Sequence, residues 1–92
     1  MKTTHIGEQR REDRQPAEGE VHLSVEGPGS FAIQGRLIDS SRSGFRASYH
    51  GASLATGQRV RFRHSLGEGR ALVMWNRILE RHVESGFLIL DK

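Results

Sequence analysis

Arginine dominates the side chains of this sequence that could take part in chemistry. Lysine and arginine together number 14 against 11 aspartates and glutamates, giving a formal net charge of +3, and only Lys2 and Lys92 are lysine. The planar guanidinium presents a fork of donors that suits phosphates and guanine edges, and it also stacks on flat rings. Arg10 and Arg14 form an Arg-x-x-x-Arg pair, with Arg11 beside them. A solvated charged tail would explain this pair alone equally well.

A second motif is Asp39-x-Ser41-x-x-Gly44, which joins two apolar, strand-like segments. Aspartate and serine side chains form hydrogen bonds with their own backbone in turns, and glycine adopts conformations that other residues avoid. The motif alone is therefore typical of an ordinary turn, predicted here over residues 39–44. It also places a carboxylate and a hydroxyl close together on a surface.

The elements that must position these groups are short strands. Apolar residues alternate with polar ones from Val21 onward, and segments rich in glycine separate these runs, which predicts about six strands and no amphipathic helix. This pattern favours an all-β antiparallel barrel or sandwich. Residues 1–19 have mixed charge and little apolar content, so we expect a mobile N-terminal arm before a barrel over 20–92, in one domain.

The sequence offers little for catalysis. The five histidines are scattered without metal-ligand spacing, and there is no cysteine, phosphate-binding loop or nucleophile elbow. We therefore expect no enzyme activity, no metal and no cofactor. The chain also lacks a signal peptide and any apolar run long enough to span a bilayer, which predicts a cytoplasmic protein with no membrane partner.

The Arg-x-x-x-Arg pair comes first in the sequence and the Asp-x-Ser-x-x-Gly motif follows between two predicted strands. In this order, within one predicted β domain, the two motifs resemble those of the bacterial PilZ family. The resemblance runs from about Glu8 to Leu90 and includes the Gly-x-x-Val at 57–60, the Val-x-Trp at 73–75 and the Gly-Phe at 86–87. It implies a six-stranded antiparallel barrel and cyclic di-GMP as the ligand. Many family members continue past the barrel into a C-terminal helix, whereas this sequence stops at Lys92. We therefore expect either a minimal domain with little or no such helix, or a helix that lies outside this sequence.

The chemistry of the residues agrees with the implied ligand. An arginine fork can grip the O6 and N7 acceptors of guanine, and arginine can equally bind a phosphate. Asp39 can accept from the opposite guanine edge, Ser41 can add a hydroxyl contact, and Gly44 would let the backbone approach closely. We therefore expect Arg10 and Arg14 to close on the ligand from one side, with Asp39 and Ser41 on the other.

Three further residues are weaker candidates for the ligand site. Arg11 could engage a second phosphate or base, or simply point to solvent. Trp75 in an apolar strand is more often a core residue than a stacking platform. The resemblance nevertheless implies that Trp75 and Arg77 lie near the ligand, because residues around this strand position can do so in the family.

Two other functions remain open at this point. A small basic barrel could bind RNA or single-stranded DNA, although aromatic residues are only 7% of the chain and nucleic acid is disfavoured as a partner. A PilZ-like adaptor that binds no nucleotide is the other alternative. A receptor would also need a downstream protein partner, and an exposed arginine stripe at Arg59, Arg61 and Arg63 could meet an acidic partner or nucleic acid.

Overall fold

Alternation of buried and exposed side chains organises most of the described residues into strands. The computed structural model describes residues 13–27, 29 and 31–91. Within these residues there are seven strands and no helix. The strands are β1 (Gln15–Pro16), β2 (Glu20–Val25), β3 (Phe31–Ser40), β4 (Gly44–Tyr49), β5 (Arg59–His64), β6 (Gly67–Ile78) and β7 (Val83–Asp91).

The strands close into a six-stranded antiparallel barrel. The order of hydrogen-bonded neighbours is β3-β2-β5-β6-β7-β4, and β4 pairs back with β3 to complete the circle. Closure satisfies the backbone groups that the edges of an open sheet would leave unpaired. The all-β, six-stranded barrel predicted from the sequence is thus confirmed.

The short strand β1 extends the line of β2 along the same edge of β3. Gln15 pairs with Ser40 and Pro16 with Asp39, while β2 pairs farther along β3, beginning at Glu20 and Arg36. Residues 13–19 of the expected arm therefore lie against the barrel. Arg10, Arg11 and the rest of the segment 1–12 lie outside the described residues.

The core is built from the inward-facing side chains of all six barrel strands. Phe62 and Phe87 both pack against Phe45, and their ring centroids lie 4.9 Å and 4.7 Å from the Phe45 ring centroid. His64 is half-buried and lies edge-on against Phe45, with ring centroids 4.8 Å apart. The buried apolar residues are Val21, Leu23, Val25, Leu37, Phe45, Ala47, Tyr49, Leu54, Val60, Phe62, Ala71, Val73, Val83 and Phe87.

A buried polar network ties the loop after β4 to β6 and β7. The Tyr49 hydroxyl accepts from the Leu54 backbone N–H at 2.9 Å and donates to Ser85 Oγ at 2.9 Å. Ser85 Oγ in turn donates to Asn76 Oδ1, and Asn76 Nδ2 donates to the Leu54 carbonyl at 2.7 Å. The buried hydroxyls are fully satisfied in this way, as burial of polar groups requires.

Gly35 marks a close approach between β3 and β4. A Cβ at this position would overlap the backbone carbonyl oxygen of Ser48. Only glycine therefore lets β3 lie this near to β4.

Within the described residues, no helix is long and apolar enough to cross a membrane.

Candidate functional site

Asp39 lies in a strand rather than in the predicted turn. β3 continues to Ser40, so the connection to β4 spans only residues 41–43, and the expectation of a turn beginning at Asp39 is wrong. The extension is stabilised from both sides, since Asp39 pairs with Pro16 of β1 and with Arg46 of β4.

A bulge at Ile38 directs Asp39 to the outer face of the barrel. Leu37 pairs with the inward-facing Ala47, yet Asp39 pairs with Arg46, the very next residue of β4. One extra residue on β3 reverses the alternation beyond it, so Leu37 faces the core while Asp39 faces outward. Bulges of this kind commonly aim side chains at functional sites.

Two arginines converge on the Asp39 carboxylate. Arg46 Nε donates to Oδ1 at 3.0 Å and to Oδ2 at 2.9 Å, and Arg46 Nη2 also contacts Oδ2. Arg14 Nη1 donates to Oδ1 at 3.1 Å from the segment before β1. The Asp39 side chain retains only 9% of its exposure under these two guanidinium groups. The Arg14–Asp39 contact brings together residues of both sequence motifs.

The two arginines decide the charge state of Asp39. Burial of the carboxyl raises its pKa, but the hydrogen bond and charge of Arg46, with a further contribution from Arg14, outweigh this effect. The pKa of Asp39 therefore lies below its ordinary value, and the carboxylate is a charged acceptor at neutral pH. Asp39 correspondingly raises the pKa of Arg46.

Asp39 begins a row of residues that crosses the outer face strand by strand. Arg46 of β4 is opposite Asp39, Gly86 of β7 is opposite Arg46, and Trp75 of β6 is opposite Gly86. With neighbouring strands about 4.8 Å apart, the row spans about 14 Å. We call this set, Asp39, Arg46, Gly86 and Trp75, the outer row.

Trp75 belongs to the outer face because of a second bulge. Val73 faces the core and pairs with Phe87, but Trp75 pairs with Gly86, so Met74 is an extra residue that reverses the alternation. The Trp75 side chain is consequently not a core residue, although its apolar strand favoured that interpretation, and the residue is 37% exposed. A Cβ on Gly86 would overlap the indole ring, which shows that Trp75 lies directly over this glycine.

Arg77 lies on β6 two residues after Trp75, next to the outer row. It is opposite Glu84 of β7 and donates to Glu84 Oε1 at 2.8 Å, while its side chain remains 62% exposed. Glu84 also acts on Arg46 through its charge. Opposite charges thus alternate along the face from Arg14 and Asp39 through Arg46 and Glu84 to Arg77.

Ser41 and Gly44 lie at the connection between β3 and β4, and both line a small cavity together with His64, Leu66 and Ile89. The Ser41 backbone N–H donates to the Gly44 carbonyl at 2.8 Å, which closes the connection. A Cβ on Gly44 would overlap the Phe87 carbonyl oxygen. Gly44 thereby allows β4 to approach β7 closely.

Sequence reasoning missed Arg46. The signal was present, since Arg46 stands between Phe45 and Ala47 in an alternating run that begins at the end of the Asp-x-Ser motif. Its cross-strand partner, Asp39, could not be identified from the sequence, because the bulge at Ile38 sets the register between β3 and β4.

The arginine stripe lies on another part of the surface. Arg59, Arg61 and Arg63 of β5 are all exposed, as their alternation predicted. Arg61 pairs with Glu26 at 3.1 Å, and Arg63 is opposite Glu68 of β6. Acidic residues thus neighbour two of the three arginines of this stripe.

One solved structure reported with a ligand shares this architecture. The PilZ domain of YcgR from Escherichia coli, solved with c-di-GMP, matches with a TM-score of 0.72 and 17% sequence identity, over 90% of this chain and 79% of that chain. No family model and no curated protein sequence matches. The chain therefore has a PilZ-like fold, which confirms the fold that the sequence motifs implied.

Proposed function

We propose that this chain is a cyclic di-GMP receptor domain whose ligand lies on the outer row. The observation that carries the proposal is the alignment of Asp39, Arg46, Gly86 and Trp75, with Arg14 adjoining Asp39. A charged acceptor, arginine donors and an exposed aromatic ring then share one face. The similar fold of a PilZ domain solved with c-di-GMP supports the same choice of ligand.

Each part of the ligand has a complementary group on this face. The N1 and N2 hydrogens of guanine require an acceptor, and the ionised Asp39 carboxylate supplies one. Arginine binds the O6 and N7 edge of guanine or the phosphodiesters, which suits Arg14 and the preceding Arg10 and Arg11. The indole of Trp75, a residue that is 37% exposed, offers a flat surface on which a purine can stack, and Gly86 lies beneath the ring.

Binding would involve the segment that precedes the barrel. We assign the arginine motif to an arm over residues 1–19 and the remaining site to the barrel over 20–92. In this proposal Gln15 and Pro16 already hold the end of the arm on β3. The part before them becomes ordered when its arginines contact the ligand, and the ordered arm presents a new surface to a downstream protein. Ser41 and Gly44 contribute beside Asp39, and Arg77 lies near enough to meet the far end of the ligand. The proposed function is binding rather than catalysis.

Isothermal titration with cyclic di-GMP tests this function, with GTP and cyclic GMP as controls. A micromolar Kd corresponds to about −8 kcal/mol, and one charge-assisted hydrogen bond contributes roughly 1.5–3 kcal/mol. Arg10→Ala, Arg14→Ala and Asp39→Ala should therefore each weaken binding about tenfold or more. Arg14→Lys should also bind poorly because the planar fork is lost.

Arg61→Ala is the control for these variants. It removes an arginine, 66% exposed against 45% for Arg14, from the arginine stripe on β5, where its partner is Glu26. Its affinity should equal that of the wild type. Wild-type affinity in Arg14→Ala would refute the site, and absence of saturable binding by the wild type would refute the ligand.

Single-stranded nucleic acid is the competing ligand, and the described surface disfavours it. Phe31 and Trp75 are exposed, but Phe31 lies on β3 opposite Val25 of β2, away from the outer row. Barrels that bind single strands usually present several aromatic rings together. Affinity for an oligonucleotide that falls steeply with salt and exceeds the affinity for cyclic di-GMP would favour this alternative.

A further inference from the structure

Arg46 and Arg14 contact the Asp39 carboxylate with different geometries. Arg46 approaches the carboxylate side-on, with Nε donating to both oxygens and Nη2 contacting Oδ2. Arg14 touches only Oδ1, through a single nitrogen. Side-on contact by a planar fork fixes the plane of a carboxylate as well as its position, whereas one hydrogen bond leaves it free to rotate.

Arg46 is also better anchored than Arg14. It stands within β4 and is hydrogen-bonded into the barrel on both sides, opposite Asp39 and Gly86. Arg14 precedes the two-residue strand β1. An ionised carboxylate has about four acceptor sites. Arg46 occupies acceptor sites on both oxygens of the Asp39 carboxylate, so a guanine edge must bind at the sites that Arg46 leaves.

We propose that Arg46 is a positioning residue of the ligand site, which holds the Asp39 carboxylate in a single orientation on the outer face so that Asp39 can accept from guanine. This inference rests on the proposed function and adds a residue that belongs to neither sequence motif. Arg46 acts on the ligand through Asp39. Glu84, next to Arg46 on the face and itself paired with Arg77, helps to fix the guanidinium by its charge.

The charges around Asp39 predict a specific pH dependence. The groups that face Asp39 are Arg46 of β4 and Arg14 beside β1. Burial of the carboxyl raises the pKa of Asp39, whereas both arginines lower it. Loss of Arg46 would leave burial opposed only by Arg14, so the pKa of Asp39 should rise and its carboxyl should lose its charge at a higher pH. A residue needed only for folding would not shift this titration in a folded variant.

Arg70 provides a matched control. It binds Asp91 with the same side-on geometry, through Nε at 3.0 Å and Nη2 at 2.6 Å to Oδ2. Both side chains of this pair are exposed, at 45% and 47%. Arg70→Gln therefore removes an equivalent arginine–aspartate contact from another part of the surface.

The test combines two measurements on Arg46→Gln, Arg46→Lys and Arg70→Gln. The first is the titration of the Asp39 carboxyl in the ligand-free protein by NMR. The second is the affinity for cyclic di-GMP by calorimetry between pH 5 and 8. Arg46→Gln should raise the pKa of Asp39, weaken binding about tenfold or more at pH 7, and lose binding at a higher pH than the wild type does. Arg70→Gln should change none of these.

Arg46→Lys separates charge from orientation. Lysine keeps the positive charge but lacks the fork, so the pKa of Asp39 should stay low while affinity remains below that of the wild type. This variant also carries the test if Arg46→Gln does not fold. Wild-type affinity in a folded Arg46 variant, with an unchanged pH profile, would overturn this inference and leave the proposed function intact. Absence of wild-type binding would overturn both.

Discussion

The indole of Trp75 lies directly over Gly86, so that the one tryptophan of the chain covers a position without a side chain. The two residues are opposite each other on β6 and β7. The glycine leaves room for the ring, whose Nε1 and Cε2 atoms lie where a Cβ would be, and Gly86 is itself buried. This contact gives the outer row an aromatic surface at the end farthest from Asp39.

Gly86→Ala should displace Trp75. The added Cβ would overlap the indole, and the ring can move because it lies on the outside of the barrel. We expect the fluorescence emission of Trp75 to shift to longer wavelength as the ring becomes more exposed, together with weaker cyclic di-GMP binding. Unchanged emission in a folded Gly86→Ala protein would contradict the contact.

Gly35→Ala is the comparison for that variant. There the Cβ would meet the backbone carbonyl of Ser48, which cannot move without shifting a strand. We expect a loss of about 1–3 kcal/mol in the free energy of unfolding, as for other overpacked sites. Chemical denaturation measures this loss, and the emission of Trp75 should stay unchanged in the folded state.

Trp75→Ala should weaken ligand binding with little effect on stability. Stacking of a base on an aromatic side chain contributes about 1–3 kcal/mol, whereas this ring lies outside the core. Trp75→Phe should recover part of the affinity. Ile78→Ala, at an exposed residue of the same strand, is the control and should bind normally. Equal affinity of Trp75→Ala and the wild type would exclude stacking.

Asp39 should also make the stability of the protein depend on pH. Its folded-state pKa is lowered, so the ionised carboxylate stabilises the fold above the unfolded pKa of about 3.9, and this stabilisation disappears as the pH falls through the folded value. Asp39→Asn should be less stable than the wild type at pH 7, and the difference in Tm should shrink towards pH 2. A constant difference across this range would contradict the charged interaction with Arg14 and Arg46.

The network below Tyr49 should contribute to stability but not to binding. Ser85→Ala removes the group that connects the Tyr49 hydroxyl to Asn76. Because buried polar groups lose a partner, the free energy of unfolding should fall by about 1–3 kcal/mol. Thermal and chemical unfolding measure this change, while affinity for cyclic di-GMP in the folded protein should be unaltered. A substantial loss of affinity would instead connect this network to the site.

The sequence predicted the strands well, because period-two alternation directly reflects burial on one face. Val21, Leu23 and Val25 illustrate this, and all three are buried in β2. The candidate site was harder to predict, since its geometry depends on two bulges. By simple alternation Asp39 would share a face with Leu37, and Trp75 with Val73. The extra residues Ile38 and Met74 reverse both patterns.

Arg46 also shows why the geometry of the site could not be predicted from the sequence. Its exposure follows from the alternation of β4, but its interaction with Asp39 follows only from strand register. Cross-strand partners depend on where the bulge falls, and no local pattern in this sequence marks that position.

Fluorescence titration of Trp75 with cyclic di-GMP tests the central claim most directly, because this single tryptophan stands in the outer row. We expect a saturable change in emission that GTP and cyclic GMP do not reproduce at the same concentrations, and that Asp39→Ala largely removes. Saturable binding by calorimetry without any change in Trp75 emission would place the ligand elsewhere on the barrel and contradict this account.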